Sequence, residues 1–152
     1  MKAVYAGSFD PFTIGHLHVL RQAACVFDVV YVAIAVNSEK KRRTDKESMK
    51  NAIEKVLVSN GIKNVEVEIF DGLTVDFAIK KGAKFLVRGL RNGTDYEYEE
   101  NLAVVNSKIS GIETIYFRAG KTAHISSSVV MELHKYGKNI EKWVPKEVLE
   151  IL

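Results

Sequence analysis

The chain has 152 residues, of which 47% are hydrophobic and 27% are charged, and its formal net charge is +3. This length predicts a single domain over residues 1–152, and the composition is that of an ordinary soluble globular protein. So small a net charge does not by itself indicate a nucleic-acid or membrane partner. The single cysteine, Cys25, excludes an intramolecular disulfide framework. Because no apolar run has the roughly 20 residues of a membrane span and a strand begins too early for a signal peptide, we expect a cytoplasmic protein.

Short apolar runs alternate with longer amphipathic stretches along the chain. The apolar runs predict strands over residues 3–6, 29–36, 65–70, 85–87 and 114–117. The amphipathic stretches predict helices over residues 16–27, 45–59, 75–81 and 95–110, with further helices from Ser127 onward. Capping-box spacing predicts that Thr44 with Glu47, and Thr94 with Glu97, begin two of them. This alternation predicts an α/β fold with a parallel five-stranded sheet and helices on both faces.

The loop after the first predicted strand, GSFDPFTIGH at residues 7–16, is the first candidate site. A turn between a first strand and a first helix presents backbone N–H groups and the positive end of a helix dipole to an anion. Its two glycines let a phosphate approach the backbone, Ser8 supplies a hydroxyl, and Asp10-Pro11 predicts a turn. For His16, a capping or packing role and a role in chemistry on a polyphosphate are both open, and we favour the second.

Two arginines follow the fourth predicted strand. Arg88 and Arg91 flank Gly89, and an arginine at the end of a buried strand needs an anionic partner. The planar guanidinium fits phosphate oxygens, so a phosphate ligand is one interpretation. A salt bridge to Asp95 or Glu97 is the alternative.

Two further groups of polar residues follow predicted strands. Lys40–Arg43 is either a solvated surface run or a nucleic-acid patch, and its position makes at least one of its lysines a candidate phosphate ligand. Ser126, Ser127 and Ser128 precede an apolar run, so their hydroxyls would form an anion cradle at a helix N-terminus, although an N-cap needs only one. Because phosphoryl and nucleotidyl transfer can proceed by positioning and charge stabilisation alone, these groups suit that reaction class.

The loop at residues 7–16 resembles the signature of the nucleotidyltransferase superfamily, whose domain is Rossmann-like. Three later motifs narrow the resemblance: RGLR at residues 88–91, DYEYE at 95–99 and ISSS at 125–128. In order and spacing they are similar to the bacterial phosphopantetheine adenylyltransferase family, over essentially the whole chain. The resemblance implies transfer of the adenylyl group of ATP to phosphopantetheine, which gives dephospho-coenzyme A and pyrophosphate.

The resemblance also implies a role for each matching residue. The catalytic set would be His16, Lys40 and Arg88, with His16 stabilising charge on the α-phosphate. Ser8, Lys40 and Arg88 would hold the acceptor phosphate, and Thr74 would contact the pantetheine arm. The implied ATP site consists of Ser8, Phe9, His16, Gly89, Leu90, Arg91, Glu99, Thr122, Ala123, His124, Ile125, Ser126, Ser127 and Ser128.

The resemblance has three further implications: Mg²⁺ would be carried with ATP, coenzyme A would be a feedback ligand, and the protein would be a homohexamer built as a dimer of trimers. It implies no nucleic-acid or membrane partner. One alternative is a nucleotidyltransferase with another acceptor, such as nicotinamide mononucleotide or glycerol phosphate; the motifs at 88–99 and 125–128 disfavour it. The other is a non-catalytic nucleotide-binding or RNA-binding module that uses Lys40–Arg43. That run is not interleaved with stacking aromatic residues, which disfavours the module.

Overall fold

The computed structural model describes residues 1–36 and 41–152, and its central element is a five-stranded parallel sheet. The strands are β1 (Lys2–Gly7), β2 (Val29–Val36), β3 (Val65–Asp71), β4 (Phe85–Leu90) and β5 (Glu113–Arg118). They lie in the order β3-β2-β1-β4-β5, and every neighbouring pair is parallel. The predicted α/β fold with five parallel strands is confirmed.

Six helices and one short 3₁₀ turn connect and flank the strands in the described part of the chain. They are α1 (Ile14–Val26), α2 (Lys46–Ser59), α3 (Thr74–Lys81), α4 (Gly93–Ser110), α5 (Ser127–Lys135) and α6 (Lys146–Leu149), with the 3₁₀ turn at Gly120–Thr122. The predicted helices are all present. Within residues 1–36 and 41–152, none of them has the length and apolar character to cross a membrane.

Both capping boxes predicted from the sequence are wrong, because an acidic or amide side chain close by takes the N-cap position. Asp45 caps α2, since its carboxylate accepts the N–H of Ser48 at 2.8 Å. Asn92 caps α4 by accepting the N–H of Asp95 at 2.9 Å, two residues before Thr94. Short polar side chains of this type compete well for N-cap positions.

The hydrophobic core lies on both faces of the sheet and follows the two-residue period of the strands. In β1, Ala3 and Tyr5 face a large cluster that includes side chains of α1, α2, α5 and α6. Val4 and Ala6 face a smaller cluster with side chains of α3, and α4 lies beyond it on the same side. Helices therefore cover both faces, as predicted.

The strand order reverses between β1 and β4, since the chain moves outward through β2 and β3 and then returns to the other side of β1. In a doubly wound sheet, such a reversal opens a crevice at the carboxyl ends of the two central strands. The loop after β1 and the arginines at the end of β4 therefore meet at one place.

Close packing of α1 against β4 depends on Gly89. A Cβ atom at this position would lie 2.7 Å from Cγ2 of Val19, which is closer than carbon atoms approach in proteins. Val19 is buried in α1, and a β-branched side chain in a helix has little freedom to change rotamer. Gly89 therefore sets the distance between the helix that carries His16 and the strand that carries Arg88.

We expect Gly89→Ala to lower the free energy of unfolding by about 1–3 kcal/mol, because the added methyl group overpacks this contact. Urea denaturation measures the change. Gly93→Ala is the matched control and should cost little, since no atom of residues 1–36 or 41–152 lies within 4 Å of a Cβ at that position. In a Val19→Ala background the cost of Gly89→Ala should largely disappear. The same cost in both backgrounds would show that Val19 is not the obstacle.

Candidate active site

A cavity of about 310 Å³ opens at the carboxyl ends of β1 and β4 and contains most of the predicted site residues. Those that line it are Ser8, Phe9, His16, Arg88, Gly89, Arg91, Glu99, Thr122, Ile125, Ser126 and Ser127. Of the other predicted residues, Leu90, Ala123, His124 and Ser128 are not part of its lining, and the ring of His124 packs against Trp143 with their centroids 5.4 Å apart. Lys40 lies outside the described residues.

His16 combines the two roles that its sequence position left open. It is the third residue of α1, and its Nδ1 accepts the backbone N–H of Thr13 at 3.0 Å, while the Thr13 hydroxyl accepts the backbone N–H of His16 at 3.3 Å. This reciprocal capping box makes Nδ1 an acceptor, which places the proton of the neutral ring on Nε2. One ring nitrogen therefore caps the helix, and the other is left as a hydrogen-bond donor at the cavity.

Aromatic side chains surround the ring of His16. The ring centroids of Phe9, Phe12 and Tyr5 lie 5.1, 5.6 and 6.4 Å from that of His16. Burial among them lowers the pKa of His16 to about 4, and the positive charges of Arg91 and Arg88 contribute to this shift. At neutral pH the empty site therefore holds an uncharged imidazole.

Both site arginines are paired with carboxylates of α4. Arg88 bonds Glu99 in a bidentate pair with N···O distances of 2.6 and 2.5 Å, and Arg91 bonds Asp95 in the same way at 2.7 and 2.9 Å. The Arg91 guanidinium holds the pKa of the Asp95 carboxyl below its usual range. Positions 95 and 99 are one helical turn apart, so both carboxylates face the end of β4. The salt bridge considered for the arginines is thus present, with Asp95 for Arg91 but with Glu99 for Arg88.

Arg88 still has donors to offer a ligand. Its third bond goes from Nη1 to the carbonyl oxygen of Ala6 at 2.8 Å. A guanidinium has five N–H groups, so one on each terminal nitrogen is not used by the bonds to Glu99 and Ala6. Arg88 can therefore receive an anion while it remains fixed by its present partners.

A second cavity, of about 200 Å³, lies on the α3 and α4 side of the sheet. Thr74, Leu102 and Asn106 line it, and it shares Ala6, Arg88 and Glu99 with the first cavity. Arg88 thus lies where the two cavities meet. Among the predicted substrate-binding residues, Thr74 contributes to this second cavity and Ser8 to the first.

The three serines at the start of α5 have three different roles. Ser126 is the N-cap, since its hydroxyl accepts the N–H of Val129 at 3.3 Å. The hydroxyl of Ser127 donates to the carbonyl of Pro11 at 2.8 Å, and that of Ser128 lies 3.5 Å from a guanidinium nitrogen of Arg43. One hydroxyl caps the helix, as expected, and the other two connect α5 to the neighbouring loops.

The solvated-run interpretation of Lys40–Arg43 is wrong for Arg42. Its side chain is only 16% exposed, and Nη1 donates to the carbonyl of Ser8 at 2.8 Å. Asp10, which the sequence identified only as part of a turn, accepts the backbone N–H groups of Arg43 and Thr44 at 2.8 and 2.9 Å. It also accepts the hydroxyl of Thr44 at 2.6 Å. No local sequence pattern predicts these contacts, because they join residues more than thirty positions apart.

Comparisons with known proteins give the following matches. Residues 4–133 match the cytidylyltransferase-like family. The phosphopantetheine adenylyltransferase of Lachnoclostridium phytofermentans is 43% identical over 98% of this chain and 91% of its own length. The protein of the same name from Leuconostoc mesenteroides is 44% identical over 99% of this chain and 93% of its own, and that of Flavobacterium johnsoniae is 40% identical over 97% and 96%.

Solved structures with similar folds include other adenylyltransferases. The nicotinic acid mononucleotide adenylyltransferase of Plasmodium falciparum, complexed with NaAD, has a TM-score of 0.70 and 16% identity, and covers 99% of this chain and 93% of its own. The bifunctional NMN adenylyltransferase/ADP ribose pyrophosphatase of Francisella tularensis has a TM-score of 0.70 and 18% identity, and covers 94% and 44%. At such low identity these structures show the shared fold alone.

We expect the ring of His16 to titrate near pH 4 in the empty protein, with its proton on Nε2 above that pH. Long-range ¹H–¹⁵N correlation spectra report both properties. Because an unfolded histidine takes up a proton near pH 6.5, this group should reduce stability as pH falls from about 6.5 to 4, with no effect above that window. His16→Gln, which keeps a side chain suited to the capping box, should lose this part of the pH dependence. A midpoint at or above 6.5 would contradict the burial argument.

Proposed function

The chain belongs to the cytidylyltransferase-like family and, within it, to the phosphopantetheine adenylyltransferases, and on that premise we propose that it transfers the adenylyl group of ATP to phosphopantetheine. The products are dephospho-coenzyme A and pyrophosphate. The observation that carries the proposal is the position of Arg88 at the junction of two cavities. In the proposal, the first cavity would take the nucleotide and the second would take the narrow arm of the acceptor, so the phosphate of the acceptor would lie beside Arg88.

In the reaction, an oxygen of the acceptor phosphate forms a bond to the α-phosphorus of ATP while the bond to pyrophosphate breaks. The attacking group is already an anion, so no general base has to remove a proton. Negative charge builds up on the α-phosphate oxygens, and Nε2–H of His16 is the donor that stabilises it. The anion in turn favours the charged imidazole, so binding raises the pKa of His16 from its value in the empty site.

Arg88, Ser8 and Lys40 hold the acceptor phosphate in this proposal. Arg88 offers the two terminal N–H groups that Glu99 and Ala6 do not use. The side chain of Ser8 lies at the lining of the same cavity and is exposed to it. Two cationic groups and a hydroxyl would match the charge and the oxygens of a phosphate monoester.

The pantetheine arm is proposed to occupy the second cavity. Leu86 and Leu102 supply apolar surface for its methyl and methylene groups, while Thr74 and Asn106 supply partners for its amides. The one carboxylate of the described lining, that of Glu99, is already paired with an arginine. The cavity therefore favours pantetheine over nicotinamide mononucleotide, because the charged ring of the latter would be buried among the described residues without a free partner of opposite charge. Coenzyme A contains the same arm and an adenine nucleotide, so we propose it as a feedback ligand of both cavities.

ATP is proposed to lie across the ends of β4 and α5. Gly89 and Leu90 at the end of β4, and Arg91 directly after it, would contact the nucleotide. Glu99 would contact it from α4, and the segment 122–128 would close the other side. Mg²⁺ would arrive on the triphosphate and offset its charge. The two cavity carboxylates, Asp95 and Glu99, are each held in a bidentate arginine pair, which supports a metal bound chiefly by ATP.

We expect pyrophosphate release from ATP and Mg²⁺ to require phosphopantetheine and to fall roughly a hundredfold or more in His16→Ala, since the variant loses a donor to the developing charge. An enzyme-coupled pyrophosphate assay measures it, with nicotinamide mononucleotide and glycerol phosphate as competing acceptors.

The matched control for this assay is His18→Ala, because His18 lies two residues further along α1 and does not line the cavity. It should retain turnover within about twofold. Faster release with another acceptor would reassign the substrate. Near-normal turnover in His16→Ala would refute the role of the imidazole.

The surface of α4 supports the homohexamer. No residue of this helix is buried, and Tyr98, Leu102, Val105 and Ile109 form a stripe along it that is 41–65% exposed. Their spacing of four, three and four residues places them on one face, as in a helix–helix seam. An apolar stripe of this length on a soluble chain indicates a protein contact, and we propose further copies of this chain as the partner.

Val105→Lys should convert the assembly chiefly to smaller species, because the lysine places a charge in the proposed seam. Sedimentation equilibrium measures the mass. Val58→Lys is the control, since Val58 is 82% exposed on α2 and lies away from this stripe. If Val105→Lys kept the mass of six chains, the stripe would not be the contact. A wild-type monomer would refute the hexamer itself.

A further inference from the structure

The first loop is fastened to the segment before α2 by a group of contacts that we call the Asp10 clamp, made of Ser8, Asp10, Arg42, Arg43 and Thr44. The carboxylate of Asp10 accepts three hydrogen bonds from residues 43 and 44. Arg42 lies in the middle, with Nη1 on the carbonyl of Ser8, Nε on the carbonyl of Thr44 at 3.2 Å and Nη2 at 3.9 Å from a carboxylate oxygen of Asp10. The side chains of Arg42 and Asp10 are only 16% and 13% exposed. The clamp is therefore a largely buried link between two segments that are distant in sequence.

Arg42 contacts the Ser8–Phe9 peptide from outside the cavity. Ser8 and Phe9 line the cavity, whereas Arg42 does not. The peptide is trans, so its N–H points opposite to its C=O. With the carbonyl of Ser8 directed at Arg42, the N–H of Phe9 is directed away from Arg42. Because Phe9 lines the cavity and Arg42 does not, the cavity is the space that this N–H can serve.

The backbone at Phe9 would not hold this orientation by itself. Its φ angle is 45°, in the left-handed region that residues other than glycine rarely adopt. Its ring is 2% exposed and packs against Tyr5 and Phe12, with centroids 5.3 and 5.6 Å away. Ring packing fixes the side chain, and the bond from Arg42 fixes the peptide before it. Strain of this kind persists where the surroundings determine it and is frequent at binding sites.

We propose that Arg42 is a positioning residue, which orients the Ser8–Phe9 peptide so that the N–H of Phe9 donates to a phosphate oxygen of the bound nucleotide. The inference rests on the proposed function for the identity of the ligand, a polyphosphate. Arg42 does not touch the ligand; it holds the donor. A backbone donor placed before the ligand arrives needs no rearrangement during the reaction, which is what makes such donors effective.

The guanidinium is suited to this task in a way that a lysine is not. Arg42 bonds two carbonyl groups at once through a planar fork, and a lysine ammonium is a single flexible point charge. Arg43 is the natural comparison. Its side chain is exposed, and its hydrogen bonds to described residues are long, at 3.4 and 3.5 Å. Its firm bond to Asp10 comes from its backbone N–H and would survive a side-chain change.

The test compares Arg42→Ala, Arg42→Lys and Arg43→Ala with the wild type. We expect Arg42→Ala to lower kcat for pyrophosphate release at least tenfold, with KM for phosphopantetheine changed less than twofold, since the peptide faces the nucleotide. Titration calorimetry with inorganic pyrophosphate should show at least tenfold weaker binding. Arg42→Lys should recover only part of either loss, and Arg43→Ala should match the wild type within about twofold. Added ethylguanidinium should restore part of the turnover of Arg42→Ala.

A direct measurement covers the case in which Arg42→Ala does not fold. In ¹⁵N-labelled wild-type protein, the amide proton of Phe9 should move downfield when pyrophosphate is added, as an N–H that begins to donate to an anion does. Wild-type protein without pyrophosphate release would refute the proposed function. Active wild type with an unmoved Phe9 amide would overturn only this inference, and so would folded Arg42→Ala with normal kcat and pyrophosphate affinity. Equal losses in Arg42→Ala and Arg43→Ala would also overturn it.

Discussion

The hydrogen bond from the backbone N–H of Thr13 to Nδ1 of His16 organises the whole site. It closes the first turn of α1, it decides which ring nitrogen carries the proton, and it holds the ring among Tyr5, Phe9 and Phe12. The same hydrogen bond therefore caps α1 and places the ring proton on Nε2 of His16. A histidine at the third position of a helix usually has one of these roles, and here the same ring has both.

The topology of the sheet determines which groups meet this ring. Because the strand order reverses at β1, the loop after β1 and the end of β4 are neighbours although they are some eighty residues apart in sequence. Gly89 lets α1 approach β4, which brings His16 to the same cavity as Arg88. The α4 carboxylates complete the arrangement by pairing with both arginines at the cavity. The chemistry depends on the fold through these few close contacts.

Local patterns in the sequence were sufficient to predict the fold and the centre of the site. The short apolar runs predict all five strands and the amphipathic stretches predict the helices. Because the carboxyl ends of parallel strands share one edge of the sheet, Ser8, His16, Arg88 and Arg91 are expected together.

Two kinds of feature cannot be predicted from such local patterns. The predicted N-caps are wrong because several residues near each helix start can serve as the cap, and tertiary contacts decide which one does. The hydroxyl of Thr44, for example, donates to Asp10, and Asp45 caps α2 instead. The burial of Arg42 could not be predicted, because the sequence of a basic run does not show whether its side chains are solvated or packed against a distant loop.

The pairing of Arg88 with Glu99 has a consequence for how long a ligand stays. An arginine already satisfied by a carboxylate gains less from an incoming phosphate than one without a partner, because part of the attraction is spent in sharing the cation between two anions. In the proposed reaction, the carboxylate would therefore moderate the affinity for substrate and product alike, and most of that effect would lie in the rate of dissociation. Glu99 fixes Arg88 through a bidentate pair, and in the proposed reaction the same negative charge would make the product easier to release.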